Sequence, residues 1–293
     1  MTAAQAANNT PASPPHVLRA IGVGLVALLI GACGTKFLYD RLDRVAGWYL
    51  GGLVSLDADQ RGSLNRWLEE SLDWHRTSQL DRYAQFMREL QASLATPLTY
   101  EDYDRVRLEI EAFWRDLVGG VLPQSAELLG SLSPEQVDEL LRSLEEEDRE
   151  AEEEFASRSA QERAERREKR LRRSVERWTG RLDETQRRMV EIAAGDLVPL
   201  DRAWLDNRAN WREQLRTALF APADQGAAAR VGQLLAEPER TWTESYREGV
   251  IHNRRRILEM LADLDATLSS VQRDRMRARL GELAENLQAL AQG

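Results

Sequence analysis

Outside its carboxylates, this 293-residue chain carries few side chains able to do covalent, metal or acid–base chemistry. It has one cysteine, Cys33, and three histidines, His16, His75 and His252. One thiol forms no internal disulfide, and these four residues show no zinc-ligand spacing. The 49 Asp and Glu residues offer many carboxylate pairs, but nothing in their order selects one for glycosidase-type work. A nucleophile elbow, an H-E-x-x-H helix and a Gly-rich phosphate loop are all absent. His75 stands between Trp74 and Arg76 in a helical pattern, and His252 beside Asn253; both read as structural or surface histidines. The expectation is a non-enzyme with no catalytic residue, no metal and no cofactor. A net charge of −9 argues against nucleic acid as a partner.

The position of the cysteine is informative. Cys33 directly follows the only long apolar run, Ala20 to Ala32, 13 residues without a charge. A bilayer core needs about 20 residues as a helix, so this run suits the h-region of a secretory signal instead. Arg19 flanks it, and residues 1–16, with Pro11, Pro14 and Pro15, read as a disordered n-region. Ile30-Gly31-Ala32-Cys33 resembles the lipobox of bacterial lipoproteins. That resemblance implies diacylglycerol on the Cys33 sulfur, cleavage between Ala32 and Cys33, and acylation (palmitate, for example) of the new amino terminus. Gly34 rather than Asp after the cysteine implies delivery to the outer membrane, facing the periplasm. The expected organisation is a signal peptide over 1–32, with its h-region at 20–32, and a periplasmic domain over 33–293.

The elements that must carry everything else read as helices. Only 18 Gly and 9 Pro punctuate the chain, and no segment alternates with period two. Phe37 to Val54 carries a heptad-like stripe of coiled-coil type, and Ala58 to Leu94 a long amphipathic one. Further helices are expected at 101–118, 134–178, 185–194, 200–219, 224–235, 243–265 and 270–290. Pro123, Pro199, Pro222 and Pro238 supply breaks. The fold class is all-α, an elongated bundle of about eight to ten helices.

One local pattern recurs: Leu56-Asp57-x-x-Gln60, Leu132-Ser133-x-x-Gln136, Leu182-Asp183-x-x-Gln186 and Leu268-Ser269-x-x-Gln272. Leu98-Thr-Tyr-Glu-Asp102 is a degenerate fifth copy. Asp or Ser capping an orphan N–H, with Gln reaching back, is a capping box at a helix start. The pattern is also similar to the Leu-Thr-x-x-Gln signature of small periplasmic helical chaperones and stress-sensor inhibitors, although in the four Gln copies the second position is Asp or Ser, never Thr. More broadly, the order of the lipobox, Trp48-Tyr49, Leu56 to Arg61, Trp74-His75-Arg76, Leu132 to Gln136, Trp178, Glu237-Pro-Glu-Arg240, Trp242, Tyr246 and Asn253-Arg254 resembles a family of uncharacterised proteobacterial lipoproteins. That resemblance implies location and fold without an activity.

Two features could carry binding. Eight tryptophans, at 48, 67, 74, 114, 178, 204, 211 and 242, would line a groove for clients or else pack in the core. Glu145–Glu154 is acidic and Glu162–Arg173 largely basic, so residues around 140–178 read as a solvated helical hairpin or arm whose charges attract along or between its limbs. Glu162, Glu165 and Glu168 each precede a basic residue by four, and Ser159-Ala-Gln-Glu162 offers another capping box. The functional expectation is a lipid-anchored, non-catalytic envelope protein, chaperone-like or an assembly factor. Its partners would be the membrane, through the anchor, and other envelope proteins. Alternatives are a scaffold that binds a membrane-tethered partner through the charged arm, and a cell-wall hydrolase.

Overall fold

The computed structural model describes residue 39, residues 41–221 and residues 227–292. The expected signal peptide, with Ala32 and Cys33, lies outside them. The described residues are helical nearly throughout and contain no strand. In chain order the helices are α1 (Leu42–Leu53), α2 (Ala58–Ser78), α3 (Leu80–Ser93), α4 (Tyr100–Gly130), α5 (Pro134–Ala156) and α6 (Ala160–Thr179). After them come α7 (Glu184–Asp196), α8 (Asp201–Leu219), α9 (Ala227–Ala236), α10 (Glu244–Asp265) and α11 (Ser270–Ala291). A 3-10 turn, Pro238–Thr241, precedes α10.

Local chemistry explains the helix starts. Asp57, Thr99, Ser133, Ser159, Asp183 and Ser269 each accept from the backbone N–H three residues on, and the side chain at that position reaches back. Pro134 takes the first helical position of α5, where its missing N–H costs nothing.

Three expected boundaries are corrected. The long helix over 58–94 breaks at Gln79. Before it, the Thr77 and Ser78 hydroxyls donate to the carbonyls of Asp73 (2.8 Å) and Trp74 (2.6 Å), competing with the helix's own bonds. The helix over 134–178 is two helices, parted at Ser157–Ser159 where the Ser159 capping box restarts the chain. Conversely, Pro123 does not end α4. Removing its N–H leaves the Gly119 carbonyl without that partner, but Leu117 and Val118 before it and Ala126 after it are all buried. Tertiary packing outweighs one lost bond.

The interior is divided rather than continuous. One apolar cluster joins the end of α1, the first half of α2, α5, α8 and α9, with Leu56, Leu64, Leu141, Leu215 and Val231 at its centre. A second pairs α3 with α11 through Leu80, Tyr83, Leu283, Leu287 and Leu290, capped by Tyr39. A third joins α6, α7 and α10 through Val175, Leu182, Val190 and Leu264. A small fourth holds Leu94, Leu98 and Leu280. In the second, α3 and α11 run antiparallel: Arg88 donates to Gln288 and Gln91 to the Arg277 carbonyl. The α4 helix packs on α2, α9 and α10, so it reaches both the first cluster and the third.

The charged 140–178 segment is built in at both flanks. Its acidic half, α5, packs on α8, where Asp148 binds Arg208 and Arg212, and Glu152 meets Arg202 at 2.6 Å. Its basic half, α6, packs on α7 and α11. Of the three expected Glu-to-base pairs, Glu168–Arg172 closes, at 3.2 Å. The opposite charges therefore meet a third helix more than they meet each other. The tip around 157–166 remains mostly exposed.

Candidate functional site

The four Leu-x-x-x-Gln copies meet in two pairs. Gln60 Nε2 donates to Gln136 Oε1 (2.9 Å) while Gln136 Nε2 donates to Gln60 Oε1 (2.7 Å). Gln186 and Gln272 exchange the same two bonds at 3.1 and 2.8 Å. The second N–H of each amide goes to a carbonyl just before the partner's cap: Ser131, Ser55, Thr267 and Arg181. Each Gln oxygen also accepts from its own cap N–H. Arg61 and Arg187 then bind the Leu56 and Leu182 carbonyls at 3.0 and 2.8 Å. Both donors and the oxygen of every amide are engaged, so these residues clasp helix starts together and keep no free group for chemistry. Local capping was readable from the sequence; the pairing was not, because it joins residues 76 and 86 positions apart.

The tryptophans do not assemble into one groove. Trp67 and Trp211 pack against the first cluster, and the Trp74 ring lies against Gly120 of α4. Trp204 stacks under Arg208, and Trp242 meets Tyr246 edge-on. Trp48 is 80% exposed on α1. Trp114 and Trp178 share a site: both line a cavity of about 500 Å³ enclosed by the end of α2, α3, the first half of α4, the end of α6, the end of α10 and α11.

Leu and aromatic side chains make up about two thirds of its walls, and most of the rest are Val, Ile and Met. Met276, Leu280, Leu283, Leu287 and Leu290 give one stripe along α11, and Val106, Ile110, Phe113 and Trp114 give the α4 side. Ile110 lines the cavity yet is 48% exposed, so the mouth lies beside α4. No Asp, Glu, Lys or Arg lines it among the described residues. Several of its polar groups are hydrogen-bonded, and the Asn286 amide also lines it. The Ser174 and Thr179 hydroxyls donate to the Arg170 and Val175 carbonyls, and Tyr103 donates to Asp265 at 3.3 Å. Asp265, fully buried, also accepts from the Leu98 N–H (2.6 Å) and from Arg273 (3.2 Å), which ties the loop before α4 onto α10 and α11. Burial and the Asp265 charge both push the Tyr103 phenol up, so it stays a donor.

His75 differs. It is 3% exposed and lines the cavity between Tyr39 and Tyr83, with ring centroids at 5.9 and 5.6 Å. Its Nδ1 is 2.9 Å from the Tyr39 hydroxyl, which also donates to the Leu72 carbonyl at 3.2 Å. Its Nε2 is buried with no hydrogen-bond partner. Burial lowers its pKa to about 4, which keeps the ring neutral near pH 7. His252, by contrast, bonds the Asp196 carbonyl at 3.0 Å near the surface.

Such a site can sequester an apolar molecule from water. Sequence reading missed it because its walls come from six helices. No curated protein and no solved structure matches the chain. A family of unknown function, DUF6279, matches residues 52–247, which include α3, α4 and α6 of the cavity wall, and the chain belongs to that family.

Proposed function

We propose that this protein is a lipid-anchored, periplasm-facing envelope protein that binds an apolar ligand without transforming it. The observation that carries the binding role is the 500 Å³ cavity, walled by hydrocarbon and free of charged side chains. The anchor rests on the lipobox-like residues ending at Cys33. Two features suit an anchor there: Tyr39, six residues later, lines the cavity, and α1 turns Val45 and Trp48 outward, 49% and 80% exposed. Tryptophan favours a membrane–water interface. Among the described residues, no helix is long and apolar enough to cross a membrane.

A chaperone for unfolded chains would need a continuous exposed apolar surface. The exposed large side chains are spread along the chain in ones and twos, such as Val45 and Trp48 on α1, Leu108 and Ile110 on α4, and Val271 on α11. The scaffold reading is weakened by α8 engaging the acidic half of the charged segment. The test has two arms. A Cys33→Ser chain should lose palmitate labelling and leave the membrane fraction; retention there would refute the anchor. The purified protein should bind an environment-sensitive naphthalene dye saturably, and Leu261→Trp, which fills the cavity, should abolish that binding. Dye binding unchanged by Leu261→Trp would refute the cavity as the binding site.

A further inference from the structure

The cavity's dimensions and one buried polar atom that lacks a partner narrow the ligand. From Met276 to Leu290 the α11 stripe spans about 21 Å at the helical rise of 1.5 Å per residue. A volume of about 500 Å³ leaves room for one long hydrocarbon chain along that stripe. The two ends differ. One end is bounded by Leu264 and Leu268, near Tyr103, whose hydroxyl is already taken by Asp265. The other, beside Leu287 and Leu290, holds Tyr39, Tyr83 and His75.

Among the polar atoms of the lining residues, His75 Nε2 is the buried one left without a partner. A buried polar atom without a bond costs free energy, and such exceptions call for an explanation. With Nδ1 committed to Tyr39, Nε2 must either donate or accept, depending on the tautomer. A hydroxyl serves in both cases. A charged head would lack a counter-ion anywhere in the lining.

We propose that the cavity takes one long unbranched hydrocarbon chain whose buried end is a hydroxyl or an un-ionised carboxyl hydrogen-bonded to His75 Nε2, with the tail reaching towards Leu264. This deepens the binding role proposed above and rests on it. The ligand is a separate molecule, a fatty alcohol or fatty acid, rather than the protein's own anchor.

Displacement of the naphthalene dye from the full chain tests this. Hexadecan-1-ol should displace it at one equivalent and about tenfold more tightly than hexadecane, the value of one hydrogen bond to an otherwise orphaned atom. The His75→Phe chain should lose that preference while still binding hexadecane. Equal displacement by the two compounds in the wild type would overturn the proposal, and this comparison decides even if His75→Phe fails to fold. A single-chain phosphocholine lipid should compete no better than hexadecane; competition equal to the alcohol would place the head outside and overturn the contact. Alcohol binding confined to a Cys33→Ser chain would show the anchor's own acyl chain in the cavity and also overturn it. If the dye binds and neither long chain displaces it, this inference fails while the binding role stands.

Discussion

At the residue scale, the molecule relies on buried amides and one buried imidazole. Gln186 is fully buried and shares its bonds with Gln272 and the Thr267 carbonyl. Gln186→Ala strands both partners and half a capping box, so it should cost about 1–3 kcal/mol in chemical denaturation. The Gln186→Ala/Gln272→Ala chain should cost less than the sum of the single changes, because each removes the same bonds. Additive losses would show that the two amides act separately. For His75 the sign follows from a folded-state pKa of about 4 against an ordinary 6.5. The unfolded chain takes up the proton first, so stability is complete above pH 6.5 and drains as pH falls towards 4. Across that window the wild type should lose about 3 kcal/mol more than His75→Gln. Parallel stability profiles of the two chains would contradict the buried, neutral imidazole.

At the element scale, backbone approach separates two adjacent glycines of α4. A Cβ on Gly120 would fall inside the Trp74 ring, whereas one on Gly119 would meet nothing within 4 Å. Gly120→Ala should therefore lower the melting temperature, at a cost of about 1–3 kcal/mol, by forcing α2 and α4 apart. Gly119→Ala should raise it slightly, by about 0.5–1 kcal/mol of helix propensity. Most of this scale was legible in the sequence. Asp-x-x-Gln and Ser-x-x-Gln announce helix starts because capping is settled within four residues. The break at Gln79 was not legible, since no Pro or Gly marks it and Thr77 and Ser78 are common inside helices. Pro123 misled for the opposite reason: a strong local breaker was overruled by burial on both sides of it. The Ser159 box was readable, yet the helix over 134–178 was still expected to run through it. A good cap competes with continued helix, and the periodicity beyond it hid the outcome.

At the scale of the whole molecule, the sequence indicated an all-α chain but not its hollow. A cavity is a shortage of atoms between elements far apart in the chain, and no residue pattern writes it down. The candidate site was legible only as loose parts, His75 and two of eight tryptophans. Its last wall depends on α11, beyond the segment matched by the family. A chain ending at Asp265 should lose the α3–α11 seam and the partner of Gln186, and so become sensitive to protease throughout α3. Resistance equal to that of the full chain would show that α11 is dispensable. The two glutamine clasps have a further consequence. An amide neither gains nor loses a proton at ordinary pH and carries no net charge for salt to screen. The arginine and carboxylate contacts between α5 and α8 have both weaknesses. Acid or brine should therefore peel the molecule open along the α5–α8 edge first, while its two amide clasps stay shut.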